Sequence, residues 1–427
     1  MKNKTSTRQL THTHTRFASY LGIACIGIVN NFPPLLFLTF QNTWNISLAQ
    51  ITFLITLNFI TQLIVGITSV KIVEKISYRH LAMGALISSF LGFSFLVILP
   101  HTLPVPYIGL LIAIVFNGLG GGMLDIILSP ILEALPSDNK SASMSLLHSF
   151  YCWASVAIIL ISTLVFKIFG TQAWPILTLI IALLPLSCFF LFNKVPIERL
   201  RSQDVEHTPL SKLMRNVLFY VLLISIFAGA STEMAISQWS SYFAEVALSV
   251  PKATGDVLGL AFFLLTMAIT RTIIGSLKRE INLQRVLSVS ALICFVCIII
   301  IILSPSQLGS LLAIGISGFA VGIFWPSTLS LARELFPNSD ASMFSVLFLA
   351  GSLGSVLGSG IVGIVGEKIE NNEWSSILAS FTDLTGSELA LKTGMLTSAI
   401  YPLLVLFAML LLARAKTKQK KSLNLQN

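Results

Sequence analysis

Charged residues are scarce in this 427-residue chain and make up only 11% of it. Soluble globular domains carry about 25% charged residues, so the scarcity excludes an ordinary soluble protein. Hydrophobic residues make up 55% of the chain, and the mean hydropathy is +0.86. The composition therefore predicts that the lipid bilayer is the solvent and a constant partner of this protein.

Motifs for cofactors, metals and catalysis are also lacking. Cys294-x-x-Cys297 has no accompanying metal-ligand set, and we interpret it as helix packing. The glycine-rich string 118–122 follows no strand and precedes no Lys-Ser/Thr pair, which excludes a phosphate-binding loop. Neither a His-Glu-x-x-His motif nor paired intramembrane aspartates occur. We expect no cofactor, no metal site and no enzymatic activity.

Long apolar runs are what the chain has in abundance. A helix needs about 20 apolar residues to cross a bilayer. Twelve candidate runs can be counted, at roughly 17–40, 46–72, 80–99, 104–135, 142–168, 173–193, 216–247, 253–277, 284–303, 306–335, 341–367 and 390–413. The sequence predicts an all-α integral membrane protein with twelve transmembrane helices.

The basic residues indicate how these helices are oriented. The net charge is +9, from 27 Lys and Arg against 18 Asp and Glu. If both termini are cytoplasmic, all but four of the basic residues lie on the inner side, the exceptions being Lys167, Lys252, Lys368 and Lys392. This asymmetry follows the positive-inside rule. We expect a multi-pass protein of the cell (plasma) membrane with both termini in the cytoplasm, and no nucleic-acid partner.

Two similar strings indicate an internal duplication. Residues 128–136 and 329–337 both fit the pattern Leu-Ser-x-x-x-Glu-x-[Leu/Phe]-Pro, at an offset of nearly half the chain. Parallel repeats of this kind build secondary transporters. The sequence predicts two pseudo-symmetric six-helix halves, 1–193 and 216–427, joined by a charged cytoplasmic linker at 194–215.

Three ionisable residues within the spans are candidates for function. Each costs about 2.5–3.5 kcal/mol to insert at a helix centre. Asp125 lies in span four, His148 early in span five, and Glu233 in the middle of span seven. We interpret them as lining a water-filled central cavity, where a carboxyl group loads and releases a proton. The alternative is interhelical hydrogen bonding, worth about 1 kcal/mol per bond.

Spacing along span four adds further candidates. Asn117, Gly121 and Ser129 stand at steps of four residues from Asp125, so we expect them to share one inward face. Such oxygen-bearing side chains would also suit a sodium ion.

Other charged residues favour structural or gating roles. Arg271 lies towards the cytoplasmic end of span eight, where it would hold a gate or extend to the membrane surface. Glu133 and Glu334 stand at helix ends near water. We expect them to form ion pairs or gates with Arg333 or a basic loop.

A break in the first span and two tryptophans complete the candidates. Asn30 and Asn31 precede Pro33-Pro34 inside an apolar run. Broken helices within a membrane occur only where their backbone is buried in protein or lines a cavity, although a plain kink is an equal alternative. Trp239, which follows Gln238, and Trp325 lie inside spans, where they would stack on a sugar ring or simply pack.

Several of these residues carry a resemblance to a known family. The string 118–125, with Leu146-Leu147-His148 after it, and the string 229–239, which reads Gly-x-x-x-Glu-x-x-x-x-x-Trp, are the relevant motifs. The chain resembles major facilitator superfamily transporters, in particular the fucose/glucose permease-like branch of sugar:cation symporters. Arg271 falls where that branch keeps a basic residue. Pro33-Pro34 departs from the branch, which has an acid there.

The resemblance implies a monomeric secondary transporter that works by alternating access. It implies cation-coupled uptake of a sugar or similar small polar solute, with a proton as the coupling ion and sodium as an open alternative. Proton-antiport export of drugs or metabolites is a second hypothesis. A non-transporting membrane sensor is a remote third.

Overall fold

A computed structural model describes residues 10–136, 140–197, 210–276, 282–337, 339, 341–370 and 386–424. Within these ranges twelve helices are long and apolar enough to cross a membrane. This confirms the predicted all-α membrane fold. The chain is helical because a backbone that crosses lipid must satisfy its own hydrogen bonds.

Eight of the twelve helices are continuous. They are α2 (Leu48–Lys75), α3 (Tyr78–Thr102), α4 (Pro106–Ala134), α5 (Lys140–Phe169), α6 (Trp174–Lys194), α7 (Val217–Val246), α9 (Leu283–Leu303) and α11 (Ala341–Glu370). A short helix, Leu210–Leu213, precedes α7.

The other four helices are interrupted. In α1 the helix His12–Asn31 passes through a tight 3-10 turn, Pro33–Leu36, into Phe37–Trp44. The interruption lies at Pro33-Pro34, where the sequence left a broken helix and a plain kink as alternatives. The remaining three are α8 (Lys252–Thr254, a wider π-helical stretch Gly255–Ala261, and Phe262–Ser276), α10 (Gln307–Val321 and Phe324–Leu335) and α12 (Gly386–Thr397 and Ile400–Asn424).

Polar side chains mark where helices begin. At the start of α2, the Ser47 hydroxyl accepts the Gln50 backbone N–H at 3.2 Å, and the Gln50 side chain accepts the Ser47 backbone N–H at 2.9 Å. Such a reciprocal cap satisfies backbone donors that have no partner within the helix. Just before it, Asn45 ends α1 in the left-handed conformation. The turn between α1 and α2 is therefore specified locally.

Because the number of spans is even, α1 begins and α12 ends on the same face of the bundle. We call the face where α1 begins and α12 ends the terminal face, and the face where α1 ends the opposite face. Helices α2 and α11 pack against each other, as do α5 and α8, which joins the first six helices to the last six. Most of the predicted linker and of the polar loop 368–389 lies outside the described residues, so the half boundaries stay predictions.

Small residues allow close packing of α7 against α11. A Cβ atom added to Gly354 would lie 2.2 Å from the Phe227 carbonyl oxygen, and one added to Gly358 would lie 2.3 Å from that of Ser231. Contacts this short leave room only for glycine. The two helices therefore approach each other along the Gly354–Gly358 face.

The cysteines are all buried free thiols. Sequence spacing indicated no partner for any of them, but the structure brings the sulfur atoms of Cys25 in α1 and Cys188 in α6 to 3.9 Å. These positions are 163 residues apart. Only the tertiary fold shows that they are neighbours.

Candidate functional site

The break in α1 exposes backbone acceptors in the middle of the bundle. Residue i+4 normally donates its N–H to the carbonyl of residue i, and Pro33 and Pro34 have no N–H to give. The carbonyls of Val29 and Asn30 therefore lose their usual donors. The Gln238 side chain, which projects from α7 in the second half, donates to the Asn30 carbonyl at 3.1 Å.

An amide network surrounds the Asn30 side chain. The Asn30 amide oxygen accepts hydrogen bonds from Asn58 at 3.1 Å and from Gln62 at 2.8 Å, both on α2. The Asn30 nitrogen in turn faces the Tyr151 hydroxyl of α5 at 3.5 Å. Three helices are therefore joined at Asn30.

Asn31 makes a second connection to α5. Its amide nitrogen lies 2.9 Å from the Gly27 carbonyl, 3.2 Å from the Tyr151 hydroxyl and 3.1 Å from the Ser155 hydroxyl. Asn31 is 1% exposed, so it packs as part of the protein interior. Of the two asparagines at the break, Asn30 is the one that also lines a pocket.

The pocket lies beside the break and has a volume of about 10 Å³, the space of about one water molecule. Its polar residues are Asn30, Asn58 and Gln238. The remaining walls are apolar and come from α1, α2 and α4, namely Val29, Pro33, Pro34, Phe37, Leu54, Ile55 and Ile114. The pocket thus combines a few amides with an apolar lining.

A buried ion pair lies in the same interior. Arg271 of α8 donates to the Glu233 carboxylate of α7 at 2.8 Å, and the two side chains are 10% and 9% exposed. The guanidinium also reaches the Cys152 sulfur of α5 at 3.3 Å. Arg271 is thus directed inward to Glu233 and does not extend to the membrane surface. Its Nε atom has no hydrogen-bond partner in the described part of the chain.

Two other predicted residues, His148 and Asp125, lie on α5 and α4. His148 is half-buried, and the charge of Arg271 acts on its ring. Asp125 is half-buried and makes no hydrogen bond or ion pair with the residues that the structure describes. One helical turn before it, Gly121 faces Val29 of α1 and Gln62 of α2. Asp125 is therefore a carboxyl group near the interior that no neighbour compensates.

Asn117 lies on a different side of α4 from the one that spacing indicated. It is fully buried, and its amide packs against Gly92 of α3. At 3.6 residues per turn each step of four residues turns by about 40°, so two steps separate Asn117 from Asp125 by about 80°. Asn117 therefore faces α3, while Gly121 faces α1 and α2.

The two tryptophans are engaged in packing. Trp239 is fully buried, and its indole N–H donates to the Ser359 carbonyl of α11 at 2.9 Å. Trp325 is half-buried, and its ring lies over Gly351 and against Phe348. These contacts favour the packing interpretation for Trp239, since its only polar atom is already bonded.

The gating residues predicted near the terminal face lie at helix ends. Arg333 and Glu334 are exposed in the last turn of α10. Glu133 stands in the last turn of α4, and its side chain lies outside the described part. The two repeat strings thus occupy the same place at the ends of α4 and α10.

Sequence reasoning missed a charged cluster at the opposite face. Lys252 at the start of α8 lies 3.0 Å from the Glu245 carboxylate and 3.4 Å from that of Asp256. It also donates to the Leu35 carbonyl of α1 at 2.7 Å. Asp256 is fully buried and faces the Thr163 hydroxyl of α5 at 3.5 Å. The cluster joins the halves, and nothing in the local sequence distinguishes Lys252 from a loop residue.

A further bond reinforces this closure. The Tyr242 hydroxyl of α7 donates to the Gln41 side chain of α1 at 3.0 Å. Gln41 precedes the end of α1 by one turn, and Tyr242 precedes the end of α7 by one turn. The two halves are therefore in contact at the opposite face.

Comparison with known proteins gives a family and a fold. A family model described as the Major Facilitator Superfamily matches residues 17–359. No curated protein sequence matches the chain. Two similar solved structures have names that describe transporters, and at their low sequence identity they show the fold alone.

The first is a bacterial homologue of the human lysosomal transporter Spinster, in an inward-facing and occupied conformation. It superposes with a TM-score of 0.70 at 14% identity, covering 94% of this chain and 97% of that one. The second is the E. coli fucose:proton symporter, with a TM-score of 0.62 at 15% identity, covering 93% and 98%.

Proposed function

The chain belongs to the Major Facilitator Superfamily, and we propose that it is a secondary active transporter that takes up a sugar or similar small polar solute together with a proton. The superfamily and its fold are those of transporters rather than enzymes. In this proposal the two halves rock about a site near the membrane midplane, and the terminal face lies in the cytoplasm.

The observation that carries the solute proposal is the amide network at the α1 break. Asn30, Asn58, Gln62 and Gln238 come from both halves and meet there. Neutral amides both donate and accept hydrogen bonds, which suits the hydroxyl groups of a sugar. Their position between the halves is where an alternating-access transporter must hold its cargo.

The coupling proposal rests on Asp125. A half-buried carboxyl group without a compensating partner is costly to keep within a membrane, and binding a proton removes its charge. Glu233 is already paired with Arg271 at 2.8 Å, so its charge is neutralised within the protein. Asp125 is therefore the better candidate for loading and releasing the proton, while Glu233 and Arg271 hold α7 and α8 in position.

Proton movement with sugar tests this proposal directly. De-energised cells that express the protein are suspended in weak buffer, and external pH is recorded as a panel of sugars is added. We expect alkalinisation with at least one sugar, and its loss in Asp125→Asn. Glu388→Gln removes an acid whose side chain is 39% exposed and serves as the matched control, with alkalinisation retained. If no sugar moves protons although the protein is in the membrane, proton-coupled sugar uptake is excluded.

The apolar lining of the pocket favours a second candidate, proton-antiport export of a drug or metabolite. Seven of the ten lining residues are apolar, and such walls bind amphipathic solutes better than fully hydroxylated ones. The same suspension distinguishes the two candidates by the sign of the pH change. When solute is added outside de-energised cells, a symporter carries protons in with it and external pH rises. A proton antiporter exchanges the entering cargo for protons that leave the cell, and external pH falls.

A further inference from the structure

Each amide nitrogen in the pocket at the α1 break already makes one hydrogen bond to the protein. Asn58 directs its nitrogen to the Asn30 side chain at 3.1 Å, and Gln238 directs its nitrogen to the Asn30 carbonyl at 3.1 Å. The Asn30 nitrogen faces the Tyr151 hydroxyl. Each of the three polar side chains of the pocket thus directs one N–H at a protein acceptor.

One of its acceptors lacks a donor. The Asn58 amide oxygen is buried and has no hydrogen-bond partner within the described part of the chain. The residue as a whole is only 7% exposed. Val29, whose carbonyl loses its helical donor because residue 33 is proline, also lines the pocket. A buried acceptor without a donor is destabilising. The pocket wall therefore contains a side-chain oxygen, that of Asn58, which lacks a donor.

Size and charge narrow the group that would supply the donor. Whole ligand sites occupy about 300–1,000 Å³, whereas this pocket has a volume of about 10 Å³ and takes a single group about the size of a water molecule. An ammonium group buried here would lack a counter-ion, because none of the lining residues is acidic. A neutral hydroxyl group on an apolar edge meets both conditions.

We propose that this pocket is the subsite that binds one hydroxyl group of the transported solute, with the Asn58 amide oxygen as the acceptor that selects for it. This assignment deepens the proposed function and rests on its solute-transport part. It makes Asn58 a specificity-determining residue. A solute that lacks the hydroxyl leaves the acceptor unpaired and is rejected.

The expected selectivity follows from the cost of that unpaired acceptor. A penalty of about 1–3 kcal/mol corresponds to a 5- to 150-fold loss of affinity at 1.4 kcal/mol per factor of ten. Exchanging hydroxyl for fluorine in a probe changes its size little and removes the donor. The pair cyclohexanol and fluorocyclohexane therefore isolates the hydrogen bond from the apolar contact.

Binding is measured with the full chain in lipid nanodiscs, as the saturable rise in melting temperature that each probe produces. We expect the native chain to bind cyclohexanol 5- to 150-fold more tightly than fluorocyclohexane. In Asn58→Leu, which keeps a similar shape without the oxygen, that ratio should fall to about one. Asn58→Asp keeps an acceptor and should keep the preference.

Asn117→Leu is the matched control. Asn117 is likewise a buried asparagine whose amide has no partner in the described structure, but it faces α3 away from the pocket. The Asn117→Leu variant should prefer cyclohexanol over fluorocyclohexane by the same ratio as the native chain. A ratio near one in the native chain, or an unchanged ratio in Asn58→Leu, overturns the assignment. The preference could depend on Asn58 while no sugar moves protons in the transport assay. That combination would support the hydroxyl subsite and refute only the proposed cargo.

Discussion

Removing one partner of the Glu233–Arg271 pair should damage the protein more than removing both. The side chains are 9% and 10% exposed and lie 2.8 Å apart. Loss of one partner leaves the other charge buried and uncompensated, which costs about 3–5 kcal/mol. Replacing both partners removes both charges and is often nearly neutral. Glu233→Gln, Arg271→Gln and the double variant therefore form a cycle with a large positive coupling.

The expected change in melting temperature follows from the size of the chain. Unfolding entropy is about 2.1 cal/mol/K per residue, which for 427 residues gives about 0.9 kcal/mol/K. Each single variant should therefore melt about 3–6 °C below the native chain, while the double variant should stay within about 2 °C of it. Because all five cysteines are buried thiols, a thiol-reactive fluorophore reports unfolding without added labels.

Glu388→Gln provides the control for this cycle. Glu388 pairs with Lys392 at 3.0 Å, but its side chain is 39% exposed, and such pairs contribute about 0–1 kcal/mol. Its melting temperature should change by no more than about 1 °C. If the decreases in melting temperature of the two single variants add up to that of the double variant, the two residues are not coupled. The argument from buried charge is then wrong.

Three further changes test other parts of the structure. Lys252→Met removes the bond to the Leu35 carbonyl. The distance between spin labels placed on the two halves at the opposite face should therefore increase. An unchanged distance would show that Lys252 does not hold the halves together. Gly354→Ala forces a side chain against α7 and should lower the melting temperature by about 1–3 °C, whereas Gly84→Ala, with open space around its Cβ position, should not. Pro34→Ala restores a backbone N–H at the α1 break. Because an interior proline costs about 3 kcal/mol, the melting temperature should rise by about 3 °C. Solute transport should become slower. A faster transport rate would contradict the functional interpretation of the break.

Features that depend on neighbouring residues could be predicted from the sequence. The twelve spans follow from the length of apolar runs, and the α1 break follows from the two N–H groups that Pro33 and Pro34 lack. The family followed from short motifs such as the string 229–239, and the family match confirms it. Each of these signals is contained within about 30 residues.

Features that depend on which helices meet could not be predicted. Arg271 and Glu233 are 38 residues apart, and Lys252 and Leu35 are 217 apart, so neither contact leaves a trace in local spacing. Asn117 shows a subtler limit. A step of four residues keeps two positions nearly on one helix face, but the 40° error accumulates, and two steps were enough to direct Asn117 to α3.

The break in α1 has a consequence for how the chain is made. During synthesis α1 is made before α7 and α8, and it has two carbonyl groups that its own backbone cannot bond. The donors that reach the break, Gln238 to the Asn30 carbonyl and Lys252 to the Leu35 carbonyl, are more than 200 residues further along. The α1 break therefore gains these two hydrogen bonds only after α7 and α8 have followed α1 into the membrane, so its final shape depends on helices that are made much later.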